Sequence, residues 1–154
     1  MEQYIEKLKN HMLRNNIEAE LQIFTTSCHT VQEAANAVGA SPGDLVKNIC
    51  MIDDKGNLIV AIVKGEDRVS TKRVGEVLNI EPPRTANEQE IIDKTGYPCG
   101  GVPSFGYNAI FIIDPKVMEK DIVYTGGGSE YSLVRISSIN LQKANNGLIL
   151  RVRK

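Results

Sequence analysis

The stretch from Gly96 to Gly106, with the sequence GYPCGGVPSFG, constrains the fold of this chain more than any other segment. It holds four glycines and two prolines in eleven residues, which fits neither a regular helix nor a central strand. Glycine tolerates a positive φ and lets a ligand approach the backbone closely, while proline stiffens its neighbours. The segment is therefore predicted to be a rigid loop, either a cradle of backbone N–H and C=O groups or a plain structural turn.

The size and composition of the chain predict one globular domain. A chain of 154 residues can bury about two-thirds of its unfolded surface in a single core, so we expect residues 1–154 to form one domain. Hydrophobic residues make up 42% and charged residues 24%, which excludes a disordered chain. The net charge of −1 gives no overall field that would attract nucleic acid, so any contact with RNA needs a local basic patch.

The cysteines and the apolar segments restrict the cellular setting. Cys28, Cys50 and Cys99 are odd in number and far apart, without a C-x-x-C pair, so we expect reduced thiols, no disulfide framework and no zinc site. The first residues lack the apolar core of a signal peptide, and no segment has the roughly 20 apolar residues that a membrane helix needs. We therefore expect a cytoplasmic protein that does not contact membranes.

Hydrophobic periodicity predicts an α+β domain built on a mixed sheet, without internal repeats or linkers. Thr30 and Glu33 form the pattern of a capping box at the start of one helix, and Ser70 is a candidate cap for another. Helices are predicted at 5–16, 30–39, 70–78, 87–94 and 138–144. Strands are predicted at 20–25, 48–52, 58–63, 109–113, 121–124, 132–136 and 148–152. The strands at 48–52 and 58–63 flank a polar turn and should form a hairpin, and the apolar run at 109–113 should be a strand buried on both faces.

Several short motifs occur in an order that is typical of one protein family. They are TVQEAA at 30–35, LVKNI at 45–49, Arg68-Val69 with Lys72, TGY at 95–97 and GGVPSFG at 100–106. The chain resembles the YbaK family of aminoacyl-tRNA deacylases, which are related to the editing domain of bacterial prolyl-tRNA synthetases. The resemblance runs from about His29 to about Leu141. It implies a single domain with a curled mixed β-sheet flanked by helices, an aminoacyl-tRNA substrate, and an aminoacyl-tRNA synthetase as a candidate second partner.

Lys47 is the first candidate catalytic residue. It lies where a helical turn at 41–44 meets the strand at 48–52. The residues alone favour a solvated surface lysine at this position. The resemblance implies instead that Lys47 takes part in deacylation, because its charge suits the terminal phosphate or the ester carbonyl of an aminoacyl-adenosine.

The resemblance also implies that the glycine-rich loop surrounds the aminoacyl group. Gly101 is the second catalytic candidate, through a backbone N–H aimed at the developing oxyanion. Further candidates for substrate binding, in this loop and beside Lys47, are Asn48, Gly100, Val102, Ser104 and Phe105. Ser104 stands where the family usually has proline, and Pro103 comes one residue early. This departure bears on the rigidity of the loop and on the identity of the substrate.

Two other segments could border the same pocket. His29 is a candidate for the pocket rim, whereas a nucleophile and base formed by Cys28 and His29 is disfavoured because adjacent side chains rarely point at one another. Gly127 and Gly128 belong to a second glycine-rich loop, which either closes the other side of the pocket or is a plain hairpin turn. This loop lacks the ending of a phosphate-binding P-loop, so we expect no nucleotide cofactor.

Basic residues cluster in two places and could contact RNA phosphates. The candidates for tRNA binding are Lys64, Arg68, Lys72 and Arg73, and Arg151, Arg153 and Lys154 form a second cluster. Charge clusters are commonly just solvated faces, so both interpretations stay open. Phosphate contacts would make binding depend on salt concentration.

Together these features favour a freestanding deacylase that hydrolyses the ester of a mischarged tRNA, of the Ala- or Cys-tRNA(Pro) type. No metal or organic cofactor is implied. The sequence contains no evident protein base, so the terminal hydroxyl of the tRNA or an ordered water is the candidate proton acceptor. The rival hypothesis is a catalytically silent module that binds a tRNA end or a synthetase.

Overall fold

The chain folds into six α-helices and eight strands within residues 2–154, the part that the computed structural model describes. The helices are α1 Glu2–Arg14, α2 Val31–Val38, α3 Thr71–Leu78, α4 Glu88–Thr95, α5 Pro115–Met118 and α6 Ser138–Asn145. The strands are β1 Ala19–Ile23, β2 Val46–Ile52, β3 Leu58–Lys64, β4 Arg84–Thr85, β5 Ile110–Ile113, β6 Ile122–Gly126, β7 Ser132–Ser137 and β8 Leu148–Ile149. A short 3-10 helix at Pro42–Asp44 leads into β2.

Side-chain caps explain where the helices begin. The Thr30 hydroxyl accepts a hydrogen bond from the Glu33 N–H, and the Glu33 carboxylate accepts one from the Thr30 N–H, so the predicted capping box is confirmed. Ser70 caps α3 through the N–H of Arg73, also as predicted. Asn87 forms a further capping box with Glu90 at the start of α4. This helix ends at Gly96, and the glycine-rich loop begins there.

The strands are divided between two sheets. An antiparallel sheet has the order β1-β7-β6, and a mixed sheet has the order β4-β2-β3-β5-β8, in which β5 runs parallel to both neighbours. A single parallel bridge between Leu45 and Tyr124 joins the two. The predicted α+β class with a mixed sheet is confirmed. The predicted single sheet is divided into two, and side-chain hydrogen bonds from Asn48 to the glycine-rich loop and to β6 connect them in addition to that bridge.

The mixed sheet carries the main core. Residues 59–63 of β3 are fully buried, and Phe111, Ile112 and Ile113 of β5 are buried between two apolar clusters, as predicted. Ile110 at the start of β5 is 40% exposed, so the burial does not reach the first residue of that strand. No helix within residues 2–154 has the length and apolar character needed to cross a membrane.

The last strand is shorter than the predicted 148–152. Beyond Ile149 the backbone N–H groups of Val152 and Arg153 donate to the Asp114 carboxylate, at 3.0 and 3.2 Å, in place of a ladder partner. The Arg153 guanidinium also donates to Asp114, at 2.8 Å. The end of the chain is therefore held by a buried carboxylate, and an isolated bridge between Val69 and Arg153 sets it beside the residues that precede α3.

Candidate active site

A pocket of about 190 Å³ lies where the two sheets meet. It is bordered by the start of β2, the segment that enters α2, the glycine-rich loop and the end of β6. Its apolar lining consists of Val31, Ala34, Leu45, Val46, Ile49, Ile91, Val102 and Leu133. Its polar and sulfur-containing lining consists of Cys28, His29, Thr30, Lys47, Asn48, Cys50, Cys99, Tyr124 and Thr125, and the backbone of Gly100 and Gly126 completes it. Lys47 is the single lysine or arginine among these residues, and the lining contains no carboxylate.

Lys47 extends from the second residue of β2 and is partly buried. Burial lowers the pKa of its ammonium, and the positive charge of Arg68 lowers this pKa further, while the carboxylate of Asp67 raises it. Across residues 2–154, no hydrogen bond or ion pair engages the Lys47 ammonium. An unpaired and partly desolvated cation of this kind can bind an anionic group or polarise a carbonyl oxygen.

Asn48 organises the pocket wall through a buried polar network. Its Nδ2 donates to the Val102 carbonyl at 3.0 Å and to the Thr125 hydroxyl at 2.9 Å. Its Oδ1 accepts a hydrogen bond from the Ser104 hydroxyl at 2.6 Å, and the Ser104 and Thr125 oxygens are 2.7 Å apart. Because Ser104 is completely buried, it ties the loop to β2 and β6 and does not face the pocket.

Thr125 is a member of this network that the sequence analysis does not identify. The alternation in β6 places Thr125 on the same face as the buried Val123. A hydroxyl on a core face needs a partner, and that is the signal that could have found it.

Gly100 and His29 meet at the rim of the pocket. Gly100 has a φ of +91°, which favours glycine, and a side chain at this position would collide with the imidazole of His29. Both residues line the pocket, so the structure brings these two candidates together with Lys47, Asn48 and Val102.

Gly101 lies outside the pocket lining. A Cβ at this position would come within 2.5 Å of the Ser129 nitrogen and 2.7 Å of the Gly128 carbonyl carbon. Its own N–H donates to the Pro98 carbonyl at 3.0 Å, and its carbonyl accepts a hydrogen bond from the Gly128 N–H at 2.8 Å. The predicted role of the Gly101 N–H as an oxyanion donor does not fit this geometry, because that donor is already used within the loop.

The remaining loop candidates also pack against protein. Phe105 is completely buried in the core and stacks on His11, with ring centroids 6.0 Å apart. Gly127 lies against the backbone of β7, and Gly128 lies against the carbonyl of Tyr4. The sequence predicts that these three residues bind substrate, but none of them lines the pocket. Gly126 is the residue of the second glycine-rich loop that lines the pocket.

The three cysteines all line the pocket but are not activated. The Cys28 thiol donates weakly to the Thr26 carbonyl at 3.8 Å, and burial raises its pKa. Burial also raises the pKa of Cys50, to about 12. Burial raises the pKa of Cys99 as well. A raised pKa disfavours the reactive thiolate form at each of these positions. Residues 2–154 hold no cluster of metal-binding side chains.

The basic candidates differ in whether their charge acts on Lys47 and in whether that charge is already paired. Arg68 is exposed, and its charge acts on Lys47. Lys64 forms an ion pair with Glu66 at 2.8 Å, which neutralises its charge. Lys72 is exposed on α3, whereas Arg73 is partly buried. The bridge between residues 69 and 153 also brings the basic end of the chain beside Arg68.

Comparison with known proteins identifies the family. The family described as aminoacyl-tRNA editing domain matches residues 25–144. The chain belongs to this family. The match includes Lys47, Asn48 and the whole glycine-rich loop, so the resemblance drawn from the motifs is confirmed.

The relatives of this editing domain differ in how much of their length the chain covers. An uncharacterized protein of Bacillus subtilis, YwhH, is 22% identical over 141 residues, which cover 90% of this chain and 89% of the relative. A proline–tRNA ligase of Bacillus licheniformis is 26% identical over 125 residues, which cover 80% of this chain and 22% of the ligase. The chain covers between 14% and 23% of the length of the proline–tRNA ligases that it matches.

Solved structures share the whole architecture. The crystal structure of a hypothetical protein, APE2540, has a TM-score of 0.89 at 28% identity and covers 96% of this chain and 99% of its own. A candidate trans-editing enzyme for prolyl tRNA synthetase has a TM-score of 0.91 at 23% identity and covers 98% and 97% of the two chains. At the latter identity the likeness supports the fold alone.

Proposed function

We propose that this editing domain is a deacylase that hydrolyses the ester between a noncognate amino acid and the end of a tRNA. The observation that carries the proposal is Lys47, the single lysine or arginine in a pocket without carboxylates. Its ammonium is unpaired within the described chain and partly desolvated, which strengthens its attraction for a developing oxyanion.

The pocket walls support a small amino acid as the group that is removed. The part nearest α2 is formed by Val31, Ala34, Leu45 and Leu133, and the whole pocket measures about 190 Å³. Apolar walls of this kind accept a small uncharged side chain and disfavour a charged one, because a charge buried there would lack a partner. Alanine or cysteine on a tRNA of the proline type is the substrate that we propose: the proline–tRNA ligases among the relatives support the type of tRNA, and the small apolar pocket supports the small amino acid.

The water that attacks the ester must lose a proton, and the pocket lining offers no carboxylate to accept it. We propose that the free hydroxyl of the terminal ribose or a second water relays this proton to the ribose oxygen of the ester, which leaves as a hydroxyl when its bond to the acyl carbon breaks. Lys47 then has one task, which is to stabilise the negative charge on the former carbonyl oxygen. The buried Asn48 network holds the Val102 wall in place while this charge forms.

The test is a deacylation panel with proline tRNA charged with alanine, cysteine, serine or proline. Wild-type protein should hydrolyse alanyl or cysteinyl esters and spare the prolyl ester. Lys47→Ala should lower the rate by about 100-fold, equivalent to about 2.7 kcal/mol of transition-state stabilisation, without lowering the melting temperature. Lys55→Ala, the same change in the exposed hairpin turn, should leave the rate unchanged.

Two outcomes would contradict the proposal. Equal rates in wild type and Lys47→Ala would remove the catalytic role of the lysine. Tight binding of charged tRNA without any hydrolysis in the panel would favour the silent binding module.

A further inference from the structure

A second pocket adjoins the candidate active site. It has a volume of about 300 Å³ and lies between the start of α1 and the two glycine-rich loops. Its lining consists of Tyr4, Pro98, Cys99, Gly128, Ser129, Glu130 and Tyr131. Cys99 also lines the active-site pocket. A Cβ built on Gly100 would collide with His29 and would lie 3.7 Å from Glu130 Cγ, so the two pockets share one rim.

The segment that carries Glu130 and Tyr131 is held in place by its backbone. The Tyr131 N–H donates to the Ser129 hydroxyl at 3.0 Å, and the Tyr131 carbonyl accepts a hydrogen bond from the Phe24 N–H at 2.7 Å. The Glu130 carbonyl accepts a hydrogen bond from the Cys28 N–H. These bonds do not use the side chains of Glu130 and Tyr131, so both side chains are available to a ligand on a fixed backbone.

The lining of the second pocket suits a nucleobase. Tyr131 is 36% exposed, and Tyr4 and Pro98 supply further ring surface. Aromatic side chains in such a position are the surfaces on which unpaired bases stack. Glu130 is exposed, and a carboxylate accepts a hydrogen bond from the exocyclic amino group of cytosine. Uracil lacks this amino group, so the pocket can distinguish the two pyrimidines.

A positive charge lies near the second pocket. Tyr4 and Lys7 are three residues apart in α1, so they share one face of the helix. The Lys7 ammonium donates to the Gly96 carbonyl at 3.3 Å and lies 4.8 Å from the centroid of the Tyr97 ring. The Tyr97 ring packs against Tyr4, with centroids 6.4 Å apart. Lys7 therefore offers a cation to the phosphate of a nucleotide whose base occupies the pocket.

We propose that the second pocket binds the cytidine that precedes the terminal adenosine of the tRNA. The cytosine stacks on Tyr131, and its amino group donates to the Glu130 carboxylate. The assignment rests on the proposed function, because an aminoacyl ester in the first pocket places the end of the tRNA beside the shared rim. The next nucleotide then lies within reach of the second pocket.

The decisive measurement is an NMR titration of the full chain with adenosine and with the dinucleotides CpA and UpA. CpA should move the signals of Glu130 and Tyr131 and should bind about tenfold more tightly than adenosine, because one more base is stacked. UpA should bind about fivefold more weakly than CpA, because it has no amino group for Glu130.

Two variants test the two contacts separately. Tyr131→Ala should lower the affinity for CpA to that for adenosine, whereas Tyr131→Phe keeps the ring and should bind CpA like wild type. Glu130→Ala should abolish the preference for CpA over UpA. Glu81→Ala, the same change at an exposed glutamate outside both pockets, should leave this preference unchanged.

The kinetics of deacylation supply a second readout. A base contact that is the same in the ground state and the transition state contributes to KM alone. Tyr131→Ala should therefore raise KM for charged tRNA by about tenfold and leave kcat unchanged. A fall in kcat at unchanged KM would overturn a role in binding the cytidine.

The titration separates this inference from the proposed function, because it requires no hydrolysis. If the wild-type protein hydrolyses none of the esters, the proposed function fails, and binding of CpA still decides whether the second pocket takes a cytidine. Equal affinities of the wild-type protein for CpA and adenosine, or for CpA and UpA, overturn the inference. Movement of the Lys72 and Arg73 signals in place of those of Glu130 and Tyr131 also overturns it.

Discussion

Replacing Gly101 with alanine distinguishes a packing role from a substrate-binding role for the glycine-rich loop. The φ of Gly101 is not in the left-handed region, so an added methyl group does not strain its own backbone. The methyl carbon would instead lie within 2.5 Å of the Ser129 nitrogen, 2.7 Å of the Gly128 carbonyl carbon and 2.9 Å of the Ser129 Cα. All three atoms are backbone, so none can move aside by a change of rotamer.

The expected cost follows from this overlap. Overpacking typically costs about 1 to 3 kcal/mol, and backbone neighbours place Gly101→Ala in the upper part of this range. We expect the free energy of unfolding to fall by about 2 to 3 kcal/mol and the melting temperature to fall by roughly 4 to 12 °C. The hydrogen bond between Gly128 N–H and the Gly101 carbonyl should lengthen as the two loops separate.

Gly43→Ala is the matched control. A methyl group there would approach only the ends of flexible side chains, Glu66 Oε1 at 3.1 Å and Lys64 Cε at 3.4 Å, so we expect a cost below about 1 kcal/mol. Both variants are compared by urea unfolding, and their deacylation rates are measured well below their melting temperatures. Wild-type stability in Gly101→Ala would refute the packing argument. If Gly101→Ala kept wild-type stability but lost deacylation activity, the added methyl group would have to face the substrate.

Three further predictions follow from other contacts. Ser104→Pro removes the buried hydroxyl that donates to Asn48, so its free energy of unfolding should fall by about 2 to 4 kcal/mol; a change of amino-acid selectivity at wild-type stability would contradict the network. If basic residues contact several phosphates, log affinity for tRNA should fall linearly with log salt, and exchanging Lys72 and Arg73 for glutamate should weaken binding; a flat salt response would mark them as ordinary surface. Burial raises the pKa of Asp114, but hydrogen bonds from backbone N–H groups and a guanidinium lower this pKa overall. The stability that the charged carboxylate gives to the fold is therefore lost as the pH falls below about 4. Acid unfolding should be less steep in Asp114→Asn.

The helix caps and the hairpin of this fold can be predicted from short stretches of sequence. The capping box at Thr30 and Glu33 and the cap at Ser70 each depend on residues three positions apart, and the structure confirms them. The hairpin of β2 and β3 follows from two apolar runs that flank a polar turn closed on Asp53. In each case the physical cause lies within a few residues, so a pattern can reveal it.

The site depends on contacts that no local pattern records. The partners of Asn48 are Ser104 and Thr125, which are 56 and 77 residues away in the sequence. Gly101 is predicted as a ligand-facing residue, yet its lack of a side chain serves the close approach of a second loop. A glycine required by a ligand and a glycine required by another backbone look the same in sequence. The role of Asp114, which accepts hydrogen bonds from the backbone of Val152 and Arg153, is hidden for the same reason.

Ser104 illustrates how one departure from a family pattern can be compensated elsewhere. A proline stiffens a loop by fixing its own φ, whereas Ser104 fixes this loop through hydrogen bonds to Asn48 and Thr125. The rigidity is then shared with β2 and β6, and Asn48 is the direct neighbour of Lys47. The pocket wall and the lysine are thereby joined through one buried network, so a substitution at Thr125 should disturb both, although Thr125 lies far from Lys47 in sequence. A loop stiffened by proline alone would lack this connection.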